Sequence, residues 1–183
     1  MAGKKKSAKY QVPSKKLIEK IIRVDHAGEY GAKRIYQGQM AVLGKTPRLK
    51  KLLQDMMDHE LEHLEYFESA IPKRRVRPTA LLPLWHIGGF AMGAVTALMG
   101  EKAAMACTVA VEEVIEKHYQ QQLQALGEAE PALRAAIAKF MADEVHHRDI
   151  GLHHGAEDAP AYRALYAVIS GITKTAIRLS ERV

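Results

Sequence analysis

Cys107 is the only cysteine in the chain, so an internal disulfide is excluded. Its neighbours Ala106, Val109 and Ala110 mark it as a small buried side chain rather than a nucleophile, in keeping with a reducing compartment. Period-two alternation of β-branched residues is scarce, which excludes a sheet-based class and leaves an all-α one. No G-x-G-x-x-G element occurs, so NADH is not expected to bind in a dinucleotide fold. Low-complexity stretches are absent. The basic start, MAGKKKSAKYQVPSKK, is followed by no apolar signal core, so nothing directs secretion. Aromatic residues make up only 6% of the chain and do not interleave with its basic clusters. Despite a net charge of +6, nucleic acid is therefore not an expected partner.

At 183 residues, 48% hydrophobic and 26% charged, the chain can bury one substantial core and is not generally disordered. The 7 prolines and 13 glycines fall mainly between helical runs. Residues 1–13 read as a basic arm, and residues 14–183 as one domain whose first helix begins near Ser14, a plausible N-cap.

Two Glu-x-x-His pairs, Glu60 with His63 and Glu144 with His147, follow the lone glutamates Glu29 and Glu112 at nearly equal intervals. Side chains three apart share a helix face, so each pair can offer a carboxylate and an imidazole to one ion. The turns fix the register. Glu29 lies about four helical turns before Leu43, where the first helical pattern meets Gly44-Lys45-Thr46-Pro47, and Glu60 lies nearly as far beyond Pro47. The second half repeats this: Glu112 precedes Leu126 by the same interval as Glu29 precedes Leu43, the turn is Gly127 to Pro131, and Glu144 follows Pro131 as Glu60 follows Pro47. All four stand about 20 Å from a connecting turn, so antiparallel packing brings four Glu and two His to one level.

Facing carboxylates repel unless cations neutralise them, and mixed oxygen and imidazole ligation suits iron or manganese. Two Glu plus two Glu-x-x-His motifs are the known ligand set of ferritin-like dimetal bundles. By that template Glu60 and Glu144 bridge two metals, Glu29 and Glu112 are terminal, and His63 and His147 serve one metal each. Asp143 with His146 is rotated by one residue and should only flank the metal face, and Glu113 loses to Glu112 on register. His59 and Glu62 read as rim residues, and Asp25 as a possible holder of a ligand imidazole or an ordinary first-turn charge. His26, His118, His153 and His154 read as surface or capping residues by default.

From Pro78 to Gly100 the chain carries no formal charge, a run long enough by count to cross a bilayer. A crossing would put Glu29 and Glu60 on one side and Glu112 and Glu144 on the other, so the ligand layer argues against it. Trp85 and the nearby Lys73, Arg74, Arg75 and Arg77 instead suit a helix lying in an anionic membrane surface. The alternative is that Leu81, Leu82, Leu84, Phe90, Met92 and Leu98 fill a core. A last helix from Pro160 carries a second apolar stripe through Leu165, Val168, Ile169, Ile172, Ala176 and Leu179, which could equally be packing. The expected architecture is thus a ferritin-like four-helix bundle with two further hydrophobic or amphipathic helices.

Five stretches, IIRVDHAGEYGA from Ile21, GQMAVLG from Gly38, RVRPTALLPLW from Arg75, ACTVAVEE from Ala106 and DIGLHHGAEDAPAY from Asp149, resemble the di-iron demethoxyubiquinone hydroxylase family of ubiquinone biosynthesis. The resemblance runs from about Ile21 to the closing LSERV. It implies two iron ions held by Glu29, Glu60, His63, Glu112, Glu144 and His147, the set already reached by register. It also implies hydroxylation of a polyprenyl methoxybenzoquinol with O2 and reducing equivalents traceable to NADH, and a lipid-binding accessory partner. The expected location is the cytoplasmic face of a bacterial inner membrane, or else the matrix face of the mitochondrial inner membrane. Two rivals remain open at this point: a ferritin-like iron-storage or ferroxidase protein, and a non-catalytic membrane-bound scaffold with a structural metal site.

Overall fold

The computed structural model describes residues 13–183, so most of the expected basic arm lies outside the described residues. Six α-helices follow one another: α1 (Lys15–Leu43), α2 (Pro47–Arg74), α3 (Leu82–Leu98), α4 (Glu101–Leu126), α5 (Pro131–His153) and α6 (Tyr162–Ser180). A 3-10 turn, Ala156–Asp158, precedes α6, and the described residues contain no strand.

The boundaries follow local chemistry. The Ser14 hydroxyl accepts from the Leu17 amide and starts α1, satisfying one of the orphan first-turn donors. Gly44 closes α1, and the proline at the head of α2 costs no hydrogen bond there. Gly127, at φ 56°, ends α4, and Pro131 opens α5. α6 begins at Tyr162, just after Pro160.

The six helices form two halves of the same order. α1 packs along α2 and α3, while α4 packs along α5 and α6. α1, α2, α4 and α5 make the bundle; α3 and α6 lie outside it, against α1 and α4. The α1–α3 seam depends on glycine, because a Cβ on Gly93 would stand 2.0 Å from the Ile35 carbonyl oxygen and one on Gly38 2.2 Å from that of Phe90. Only backbone fits there, so α3 lies closer to α1 than side chains would allow.

Among the described residues no helix is long and apolar enough to cross a membrane. The uncharged stretch has two faces. Gly89, Gly93, Thr96 and Ala97 are buried against the bundle, while Ile87 (69% exposed) and Leu98 (74%) point outward with Leu84 and Val95. α6 divides likewise: Ile169 and Thr173 are buried, whereas Val168 (60% exposed) and Ile172 face out. Phe90 is not on the free face, because its ring lies under the Arg34 guanidinium at 4.9 Å. Trp85 is only half-buried and donates from Nε1 to Ser180 Oγ at 3.0 Å, tying α3 to α6.

Candidate metal centre

Packing brings all six register-predicted side chains into the middle of the bundle. Glu29, Glu60, His63, Glu112, Glu144 and His147 are each at most 3% exposed. They fall into two ligating groups, Glu29–Glu60–His63–Glu144 and Glu60–Glu112–Glu144–His147, whose ligand atoms lie within 4.8 Å of one another. Glu60 and Glu144 belong to both groups, and each group adds its own terminal glutamate and histidine.

The residues fit a metal pair on their own geometry. His63 Nδ1 lies 3.4 Å from Glu29 Oε2 and 3.3 Å from Glu144 Oε1, and His147 Nδ1 lies 3.2 Å from Glu60 Oε1 and 3.6 Å from Glu144 Oε2. These atoms converge without hydrogen-bonding geometry. Both oxygens of Glu60, both of Glu144 and both Nδ1 atoms are buried and unpartnered, an arrangement that is costly in a dry interior unless cations complete it.

The supporting residues obey the pseudo-twofold relation between the halves. Tyr119 donates to Glu29 Oε1 from α4, and Tyr36 donates to Glu112 Oε1 at 2.9 Å from α1. Tyr36 and Tyr119 are separated in the chain by the same interval as Glu29 and Glu112. The residue before each shared glutamate holds the histidine of the facing helix: Asp143 Oδ2 lies 3.1 Å from His63 Nε2, and His59 Nδ1 lies 3.0 Å from His147 Nε2. The outward nitrogens are thereby fixed, leaving both Nδ1 atoms to face the centre.

Several secondary expectations change. His59 is no rim residue; it stacks on His147 with centroids 5.2 Å apart. Asp143 does flank the layer, and it is Asp143 rather than Asp25 that holds a ligand imidazole. Asp25 instead accepts from Gln122 at 2.6 Å. His26 and His118 are not surface residues: His26 is buried, and His118 is largely so. His146 is exposed, Glu113 bonds Lys117 and Tyr166, and Glu62 pairs with Lys139, so none of the three joins the layer. The two tyrosines and Gln122 gave no signal in the one-dimensional pattern. Only their repetition at the interval that separates Glu29 from Glu112 could have exposed them.

Electrostatics in the metal-free protein shows how the charges are compensated. Burial, followed by repulsion from Glu144, pushes the carboxyls of Glu60 and Glu112 well above the usual range. Burial acts the same way on Glu144, but the His147 and His63 imidazoles outweigh it and hold that carboxyl down to about 2. Burial would lower His63, yet the carboxylates of Glu144 and Glu29 beside it carry it up to about 12, and His147 rises for similar reasons. These directions favour the protonated forms of Glu60, Glu112, His63 and His147 in the metal-free protein, and a metal must displace such protons. Metal binding should release protons, and apparent affinity should fall as pH drops. Competitive iron titration at pH 6 and pH 8 checks this, with tighter binding expected at the higher pH.

An all-α bundle with paired Glu-x-x-His motifs and two shared carboxylates defines the ferritin-like dimetal carboxylate class. The sequence matches the family described as Ubiquinone biosynthesis protein COQ7 over residues 16–180, and the chain belongs to that family. Among its relatives, a Bos taurus protein named NADPH-dependent 3-demethoxyubiquinone 3-hydroxylase, mitochondrial, is 53% identical, over 93% of this chain and 80% of its own. The 3-demethoxyubiquinol 3-hydroxylase of Rhodospirillum rubrum is 52% identical over 91% of this chain and 79% of its own. The mitochondrial 5-demethoxyubiquinone hydroxylase of Saccharomyces cerevisiae is 41% identical over 91% of this chain and 78% of its own.

Proposed function

We propose that the protein is a 3-demethoxyubiquinol 3-hydroxylase, acting on a polyprenyl methoxybenzoquinol with O2 and two iron ions held by Glu29, Glu60, His63, Glu112, Glu144 and His147. One observation carries this beyond a storage or scaffold reading: an apolar cavity lies against the helices that carry Glu29 and Glu112. The cavity, of about 580 Å³, lies between α1, α3, α4 and α6, within the usual range for small-molecule sites. Its wall includes Gly28, beside Glu29 in the chain, and Val111, beside Glu112, and it continues through Trp85, Met92, Ile169 and Ile172 toward the exposed α3 and α6 faces. A headgroup can thus approach the metals while its tail runs out along apolar surface.

The iron pair, when bound, supplies the activation of O2. The protein residues do the rest. Cavity walls exclude water from the reacting ring, and Glu60 and Glu144, which belong to both ligating groups, would hold both ions. Asp143 and His59 fix the imidazoles, and the Tyr36 and Tyr119 hydroxyls orient the terminal carboxylates. Burial and the adjacent carboxylates raise the pKa of both phenols well above the ordinary value, so they remain donors. Reducing equivalents traceable to NADH reach the site from a separate donor or through the quinone itself.

The exposed apolar faces of α3 and α6, with the cationic Arg74, Arg75 and Arg77 close by in the chain, support a peripheral position on a membrane. We assign that membrane to the cytoplasmic face of a bacterium, with residues 14–183 acting as one unit. The lipid-binding accessory partner belongs to the same reading. Gly31 supplies the discriminating test. It lines the cavity, and a Cβ there meets nothing within 4 Å. Gly31→Leu should fold normally, keep its iron and lose at least about tenfold in kcat/KM for the quinol, equivalent to about 1.4 kcal/mol of transition-state binding. Full turnover in that variant would remove the cavity from the account.

A further inference from the structure

The two halves of the bundle match at the metal layer but diverge one turn beyond it. In one half, Gln39 Nε2 donates to the Ala104 carbonyl at 3.0 Å and Thr108 Oγ1 at 3.4 Å, beside Ile35. In the other half, the positions equivalent to Gln39, Thr108 and Ile35 are Gln122, Asp25 and His118. There Gln122 Nε2 lies 2.6 Å from Asp25 Oδ1 and 2.8 Å from His118 Nε2, and His118 Nε2 is 3.7 Å from Asp25 Oδ1. A neutral, closed arrangement in one half is replaced by two ionisable groups in the other. The ionisable version also opens outward, since His118 and Gln122 line a recess of about 130 Å³ with Lys20, Gln121 and Glu181.

We propose that His118, Gln122 and Asp25 form a proton inlet leading from this recess to the Glu29 end of the carboxylate layer. The inlet rests on the hydroxylase reading above. Ring hydroxylation converts a C–H, O2, two electrons and two protons into a C–OH and one water, and the electrons come from the reductant. Protons that the reductant does not itself carry must cross a layer that is closed to bulk water. His118 takes one up from the recess, and rotation of the Gln122 amide ends its donation to Nε2. That nitrogen then faces Asp25 Oδ1 as a donor, passes the proton to the carboxylate and returns to neutral imidazole. Asp25 sits one turn before Glu29 on α1. Its Oδ2 and the Gln122 Oε1 are buried and unpartnered, so Asp25 keeps an oxygen from which the proton passes on toward the Glu29 end of the layer.

The charges around the inlet suit transfer in this direction. Burial lowers the His118 imidazole, opposed by Glu181 and reinforced by Lys20. Burial raises the Asp25 carboxyl, opposed by the Gln122 amide and reinforced by Glu29 and Glu181. Donor and acceptor are therefore drawn toward one another in proton affinity, the condition for rapid exchange. Lys20 and Glu181 pair at 3.3 Å beside the recess, joining α1 to the end of α6.

Two variants of the iron-loaded enzyme test the inlet. Asp25→Asn keeps the volume and an acceptor for Gln122 but carries no proton, and His118→Ala enlarges the recess. Both should hold wild-type iron and lose at least about 100-fold in turnover, the low end of general acid–base effects, with a larger solvent isotope effect. Imidazole should restore His118→Ala and leave Asp25→Asn unchanged. Turnover within twofold of wild type, or a His118→Ala defect that imidazole does not restore, would overturn the inlet. A wild-type protein that binds iron without hydroxylating the quinol would overturn the functional reading, and the inlet with it.

Discussion

Glu144→Ala is expected to eliminate the iron pair and all quinol hydroxylation while leaving a largely helical protein. Glu144 belongs to both ligating groups and approaches both ligand imidazoles, at 3.3 Å from His63 and 3.6 Å from His147. Its loss would remove one candidate donor from each ligating group and one of the two carboxylates that the groups share. No neighbour can replace it, because Asp143 is engaged with His63 and His146 faces solvent. The fold should persist, because the helices are held by three apolar clusters rather than by the carboxylate layer alone. Glu113→Ala makes the matched control. That carboxylate points outward to Lys117 and Tyr166, so both irons should remain. Iron analysis after desalting, with circular dichroism on the same samples, checks both; two irons and full turnover in Glu144→Ala would contradict the ligand assignment.

The second large effect is expected at the outer faces of α3 and α6. Ile87→Glu combined with Val168→Glu should release the protein from vesicles containing anionic lipid. Burying a side chain of this size contributes about 1.5–3 kcal/mol, so losing two and adding two negative charges should weaken partitioning at least about 100-fold. Both residues already face solvent in the monomer, so the fold and the iron should be unaffected. Vesicle flotation measures the partitioning. Unchanged binding would detach these faces from the membrane, and misfolding would mean that they are packed against something in the native state.

The register of the ligand layer was legible in the sequence because turns punctuate it. Gly44 with Pro47 and Gly127 with Pro131 mark helix ends through backbone chemistry that tertiary packing rarely overrides. Once the ends are known, the fixed rise of the α-helix sets the level of each glutamate. The partners of the ligands were not legible. Tyr36, Tyr119, His59 and Gln122 act across helices, and such contacts depend on rotation about each helix axis, which turn signals leave open. Asp25 shows the difficulty: its spacing from Glu29 fits a supporting role on the metal face, yet its carboxylate turns to Gln122 on α4. The uncharged segment was ambiguous because one apolar composition serves two faces. Glycines press one side onto α1, while Ile87 and Leu98 hold the other side open. Hydroxylation of a quinol was never legible from spacing, and comes from family membership joined to the cavity behind Glu29 and Glu112.

Iron stoichiometry of the wild-type chain tests the central claim most directly. After anaerobic loading with excess ferrous iron and desalting, two irons per chain are expected, one for each ligating group and with both groups sharing Glu60 and Glu144. Many irons per chain would point to storage. One or none would show that the convergent carboxylates and imidazoles do not form a dimetal centre.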